Sequence, residues 1–302
     1  MTAAADPRVA VRGVRWTIGP DPIAALSAAR AARAFGPDLL HAHDSHALLV
    51  ALWARRWGGS PRVIATRRVD FAVRRPSPWF RADHIIAISD AVRRVLIASG
   101  ISAARITVVP SGIDADEVRR AAAAPADLRR RLGVPPATPV ALNVAALVDH
   151  KDHRTLIRAA AAARALRPDL HWVVAGEGEL RSALEREIAR LQLTDRVHLL
   201  GYVEDVAPVI READVFVMSS KEEGLGSVIL DALALEKTVV ATAGGGIPEI
   251  LPEHALVPVG DAAALAQKVV SALVHPSFVP LPARFTARAM AKGVLAVYHP
   301  VS

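Results

Sequence analysis

Three short segments of this chain carry polar residues in patterns that suit an anionic, hydroxyl-rich ligand. The first, Asn143-Val-Ala-Ala-Leu-Val-Asp-His-Lys151-Asp, leads into a helical stretch with Asp152 near its start. A lysine held at such a mouth can reach a diphosphate as a point charge. The second, Ser219-Ser-Lys-Glu-Glu223-Gly-Leu-Gly226-Ser-Val-Ile-Leu-Asp231, sets Glu223 just before a helix opening near Ser227 and Asp231 about a turn into it. Two carboxylates so spaced can project towards one mouth, and each accepts in two directions, as the hydroxyls of a sugar and a ribose require. Gly224 and Gly226 let the backbone approach a ligand, and the helix start aims free N–H groups at it. The third segment, Ala243-Gly-Gly-Gly-Ile-Pro-Glu249-Ile, can line the same crevice with backbone N–H groups.

These segments need strands to carry them. Short Val- and Ile-rich runs at Leu39–Ala42, Val63–Thr66, Ile85–Ile88 and Ile106–Val109 read as buried parallel strands, with helical spacing over Ser45–Trp57 and Ser89–Ser99 between them. Ser89 followed by Asp90 is a good helix start. Turn chemistry at Pro110-Ser-Gly-Ile-Asp114 and a polar stretch ending at Pro135-Pro136 place a linker at 114–136, after an N-terminal domain at 1–113. The alternation resumes through strands at Val140–Ala145, Leu170–Ala175, Val197–Leu200, Val215–Met218 and Thr238–Ala241, which predicts a doubly wound α/β domain over 137–275. In such a sheet ligands lie beyond the carboxyl ends of the strands, where all three segments fall. A last segment, 276–302, contains a helical pattern over Phe285–Tyr298.

Composition narrows the class. With 302 residues and 52% hydrophobic content the chain can bury two cores. No run of eighteen apolar residues suits a membrane span, and Met1 to Gly13 lacks a signal-peptide pattern. The absence of cysteine excludes disulfides, thiolate metal sites and thiol nucleophiles. These features lead us to expect a cytoplasmic protein. Residues 1–113 hold sixteen arginines against seven aspartates, so the basic excess is N-terminal and densest at Arg67, Arg68, Arg74, Arg75 and Arg81. That bias is ambiguous, because an arginine- and alanine-rich composition also follows from a GC-rich genome. As a functional feature it would favour an anionic acceptor, or peripheral contact with the inner face of a membrane, with Trp53, Trp57, Trp79 and Phe80 around it. Nucleic acid is not expected as a partner, since the basic residues follow no recognised module and aromatics are few.

Taken together, Glu-Gly-Leu-Gly-x4-Asp, the Val-Val-Ala-Thr strand and Gly-Gly-Ile-Pro-Glu resemble the donor-site signature of glycosyltransferase family 4. The likeness extends through Pro37-Asp-Leu-Leu-His-Ala-His43, Val109-Pro-Ser-Gly-Ile-Asp114, Gly176-Glu-Gly and Gly201-Tyr-Val. The resemblance implies the GT-B fold: two Rossmann-like doubly wound domains facing a cleft, the N-terminal one incomplete at its first β-α-β unit, with the terminal helix packing back on the N-terminal domain. It implies retaining transfer from a nucleotide-sugar donor to a hydroxyl acceptor, the latter a lipid, lipopolysaccharide or polysaccharide precursor, with no metal and no cofactor. Glu223 and Lys151 would be catalytic. Gly224, Leu225, Gly226, Ser227, Asp231 and Glu249 would contact the donor, and His43, Asp44 and Arg68 would stand on the acceptor side. Where the family commonly has an arginine this chain has Ala146, for which Arg154 or Arg68 is the expected replacement.

Other readings fare worse. Gly176-Glu-Gly178 lacks the third glycine of a dinucleotide fingerprint, which counts against an oxidoreductase. A GT-B epimerase or phosphorylase would share the fold, but the Glu223 and Glu249 segments point to transfer. The main alternative is a non-catalytic GT-B remnant that binds a nucleotide sugar or a partner protein, which donor turnover would exclude.

Overall fold

Strands whose two faces are both covered by helices have no polar face, and the short apolar runs of this chain become such strands. A computed structural model describes residues 9–11, 13, 22–58 and 61–299. The chain divides into a first unit, running to Arg68 with Ala72–Ile86 and Leu96–Thr107, and a second, comprising Val69–Phe71, Ala87–Val95 and everything from Val108.

The first unit opens with α1 (Pro22–Phe35), β1 (Leu39–Ala42), α2 (Ser45–Gly58) and β2 (Arg62–Arg67), and continues with β3 (His84–Ala87), α3 (Asp90–Ala98), whose start belongs to the second unit, and β4 (Ile106–Val108). The sheet order is β1-β2-β3-β4, with β1 and β2 parallel from Leu39 opposite Arg62. Helix α1 leaves no bulky apolar periodicity in the sequence, for a physical reason. Its buried face is Ala24, Ala25, Ala29 and Ala32, while its larger apolar residues Ile23, Leu26 and Phe35 are exposed. A face made of alanine leaves no bulky periodicity to detect. The expectation about a first β-α-β unit falls on residues outside the described ones.

Two short helices, α4 (Ala115–Ala121) and α5 (Leu128–Leu132), occupy the stretch read as a linker, and they count with the second unit. Asp114 caps α4 by accepting from the N–H groups of Asp116 and Glu117. Glu212 anchors α5 in the same way, its Oε2 accepting from Leu128 N at 2.7 Å and its Oε1 from Ala126 N at 2.8 Å.

The second unit then alternates β5 (Val140–Val144), α6 (His153–Ala163), β6 (His171–Ala175), α7 (Arg181–Arg190), β7 (Val197–Gly201), α8 (Ala207–Glu212), β8 (Val215–Met218), α9 (Ser227–Ala234), β9 (Thr238–Thr242), β10 (Leu256–Val257), α10 (Ala262–Val274) and α11 (Ala287–Tyr298). Its parallel sheet has the order β10-β9-β8-β5-β6-β7. The chain winds outward from β5 through β6 to β7, then returns to the other side of β5 as β8. That reversal between β5 and β8 is a topological switch point, where the following loops diverge and leave a crevice. Asn143 fastens the two strands there, its side-chain amide donating to the Val217 carbonyl at 2.8 Å. Trp172 and Phe216 are fully buried among these strands. The C-terminal segment is held by backbone bonds that bracket Ile113, from Ile113 N to Phe285 O at 3.0 Å and from Ala287 N to Ile113 O at 2.8 Å.

Candidate functional site

The switch point places two of the sequence segments side by side, because the loop 145–152 leaves β5 and the loop 219–226 leaves β8. Backbone and side-chain bonds lock them together: Lys221 N donates to His150 O at 2.8 Å, and Ser219 Oγ donates to Lys151 O at 3.0 Å. Asp152 caps α6, accepting from Thr155 N at 3.3 Å and from Thr155 Oγ1 at 2.7 Å, and so fixes the residue after Lys151.

On this frame the Lys151 ammonium donates to Glu223 Oε2, and Ser220 Oγ donates to the same oxygen at 3.2 Å. Both charged side chains are largely covered, 17% and 14% exposed. The lysine and glutamate expected to act together are therefore in direct contact. Lys221 extends the cluster, its ammonium 3.8 Å from Asp149 and 4.0 Å from Asp152.

The third loop packs onto the second so closely that its glycines are required. A Cβ on Gly244 would lie 2.4 Å from Ser220 O, and one on Gly245, whose φ is +54°, would lie 2.1 Å from Glu223 O. Gly246 N completes the seam by donating to Glu223 O at 2.7 Å. Leu225 is buried, and Gly226 sits at φ +85° as the residue before α9, with Ser227 exposed at its first position. Asp231 lies on α9 with its carboxyl partly covered and no hydrogen-bond partner among the described residues. Burial, helped by the negative Asp205, pushes it up to about 6.

Glu249, expected to contact the donor, is engaged here by two backbone N–H groups. Its Oε2 accepts from Asp90 N at 2.9 Å and its Oε1 from Ala91 N at 2.8 Å, so it caps the start of α3 from across the chain. Ser89 assists: its hydroxyl, fully buried, accepts from Val92 N at 3.0 Å and donates to the Gly224 carbonyl. The Ser89 cap was legible as a helix start, whereas its bond to Gly224 was not. Replacing Glu249 by alanine leaves two helix-terminal N–H groups without acceptors, at a cost of about 1–2 kcal/mol. The expected result is a Tm lowered by roughly 2–5 °C in a thermal melt, with glutamine losing about half as much.

The residues expected on the acceptor side, His43, Asp44 and Arg68, all lie in the first unit. His43 follows β1, its ring 4.2 Å from that of His41. Burial, then the Arg68 charge, holds it below the usual histidine range against an opposing pull from Asp44. Asp44 caps α2, accepting from His46 N at 2.8 Å and Ala47 N at 2.7 Å. Of the arginine cluster, Arg67 is withdrawn: it is buried, with its guanidinium 5.0 Å from the ring of Trp79. Trp79 is itself buried and donates to Ser45 Oγ at 3.0 Å, so it serves the core. Arg68, Arg74, Arg75 and Arg81 are exposed, and the Trp57 side chain is outside the described residues. Arg154, one expected replacement for an arginine at 146, lies 3.7 Å from Glu187 of α7.

Among the described residues no group of three or more His, Asp or Glu is placed to hold a metal ion, and no helix is long and apolar enough to cross a membrane.

Residues 126–292 match the family model described as glycosyl transferases group 1, and residues 3–117 match that described as glycosyltransferase family 4. Among curated relatives, the lipopolysaccharide core biosynthesis glycosyltransferase LpsE of Rhizobium meliloti is 33% identical over 47% of this chain and 41% of its own length. The 2-deoxystreptamine glucosyltransferase of Streptomyces kanamyceticus is 31% identical over 65% of this chain and 53% of its own. The chain thus spans about half the length of these two relatives. Anabaena HepE, solved in complex with UDP and glucose, superposes with a TM-score of 0.71 at 22% identity, over 91% of this chain and 77% of that one, which shows a shared fold.

Proposed function

The chain belongs to the group 1 glycosyl transferases, and from that premise we propose that it transfers a sugar from a nucleoside diphosphate donor to a hydroxyl acceptor with retention of anomeric configuration. The observation that carries this reading is the Lys151–Glu223 contact at the switch point between β5 and β8. It sets one cation and one carboxylate at the mouth where a nucleotide sugar would present its diphosphate and its hydroxyls. The roles follow from charge. Lys151 compensates the diphosphate as the C1–O bond lengthens, Glu223 accepts from a sugar hydroxyl, and the Leu225 and Gly226 amides supply fixed donors. The sugar becomes oxocarbenium-like and the acceptor attacks from the face that the diphosphate leaves, so no side-chain nucleophile is needed. Asp231 accepts from the ribose, which supplies the hydrogen bonds that its partly covered carboxyl lacks.

The acceptor is proposed to be anionic or presented at an anionic surface, a reading supported by the exposed Arg68, Arg74, Arg75 and Arg81. LpsE, named for lipopolysaccharide core biosynthesis, supports an envelope saccharide as the acceptor class.

A panel of UDP-, GDP- and ADP-sugars tests the donor reading by thermal shift. One nucleotide is expected to stabilise the protein selectively, by about 2.7 kcal/mol at a hundredfold excess over Kd. A cooperative melt that moves with none of them would leave the non-catalytic reading in its place.

A further inference from the structure

Asp70 belongs to none of the three loops, yet it touches two of them. It lies on Val69–Phe71, a three-residue excursion that counts with the second unit. Asp70 Oδ2 accepts from the backbone N–H of Glu223 at 3.0 Å. A Cβ on Gly245 would lie 2.7 Å from that same oxygen, so the carboxylate is wedged between the second and third loops. Phe71 holds the other end of the excursion, its ring edge-on to His150 at 5.3 Å.

The charges at this point are unequal. Glu223 has its carboxylate offset by the Lys151 ammonium. Asp70 has no ion-pair partner among the described residues and no hydrogen bond to its second oxygen, and it is only partly buried. A carboxylate without an ion-pair partner among the described residues therefore sits on the backbone of the residue that, on the donor reading, holds a sugar hydroxyl. We propose that Asp70 is a specificity residue for the transferred sugar: it admits sugars presenting hydroxyl donors and rejects those carrying a carboxylate. The physical basis is twofold. A carboxylate oxygen accepts from a hydroxyl in a charge-assisted bond, whereas a uronate would bring a like charge to a site that already holds two carboxylates. Discrimination by a repulsive element is the more effective where the site is sheltered from water. The donor class is thus a neutral hexose or acetamido-hexose, and the inference rests on the proposed donor site.

The test compares binding of bare nucleoside diphosphate, neutral sugar and uronate by isothermal titration. UDP, UDP-glucose and UDP-glucuronate serve if uracil is the base, or GDP, GDP-mannose and GDP-mannuronate if it is guanine. Wild type is expected to bind the neutral donor at least tenfold more tightly than the uronate. Asp70→Asn keeps an acceptor for the Glu223 N–H and removes the charge, so the preference should fall to within about threefold while the bare nucleotide binds as before. Asp70→Ala should lose neutral-donor affinity as well. A preference unchanged in Asp70→Asn, or equal binding of both sugars by wild type, would overturn the assignment. Equal weakening of all three ligands would also overturn it, since that marks a merely structural role. If wild type binds none of the nucleotides, the donor site itself fails and this assignment falls with it, an outcome distinct from bound nucleotide without sugar discrimination.

Discussion

Glu223→Gln is expected to lower sugar transfer by about 100-fold while tightening the bare nucleoside diphosphate several-fold. The two effects have opposite signs because the free protein pairs Glu223 with Lys151. A donor must draw the ammonium away from that carboxylate before the diphosphate can use it, so the pair competes with nucleotide binding. Glutamine removes the competing charge and leaves a side chain of the same length. On the sugar side the change is adverse: a hydrogen bond to a charged acceptor is worth about 1.5–3 kcal/mol, and its loss in the transition state costs roughly 10- to 150-fold in rate. Initial rates with the donor found in the panel give the first number, and titration with the bare nucleotide gives the second. Loss of transfer with weaker nucleotide binding would mean that Glu223 supports the diphosphate end, and the roles assigned here would be wrong.

The division between what the sequence discloses and what it conceals follows the range of the interactions. Strands at Leu39–Ala42 and Val215–Met218 have the bounds expected of them, since each is a short apolar run between polar stretches. The meeting of Lys151 and Glu223 follows from topology alone: any doubly wound sheet that reverses between β5 and β8 brings the two loops to one crevice. The glycines of 244–246 were visible as a turn, but the need for them comes from Ser220, Glu223 and Gly224 carbonyls that only the folded chain supplies.

The capping contact of Glu249 and the contact of Asp70 were concealed for another reason. Each acts on backbone N–H groups far away in sequence, 158 and 159 residues for Glu249 and 153 for Asp70. No spacing pattern encodes a side chain that caps someone else's backbone. Asp70 did leave a weak trace, as the one acidic residue between the arginine pairs at 67–68 and 74–75.

Lys151→Met should damage both ends of the reaction at once. The neutral side chain keeps the length of the lysine stem and removes the cation, leaving the Glu223 carboxylate with Ser220 Oγ alone and Asp70 close to its backbone. A diphosphate approaching that mouth then meets uncompensated negative charge, and nucleotide affinity should fall about 100-fold, or roughly 3 kcal/mol. The rate of the bound complex should fall as well, by about 100- to 1000-fold, because charge developing on the leaving diphosphate has lost its fixed partner. A drop in affinity alone would assign Lys151 to uniform binding, whereas a drop in both places it at the leaving group. The double variant Lys151→Met/Glu223→Gln separates charge from packing. Removing the second charge should restore part of the nucleotide affinity lost in Lys151→Met, so the two substitutions should be non-additive by about 1 kcal/mol or more. Strict additivity would mean that the contact between these side chains plays no part in donor binding, and the observation on which the function rests would lose its meaning.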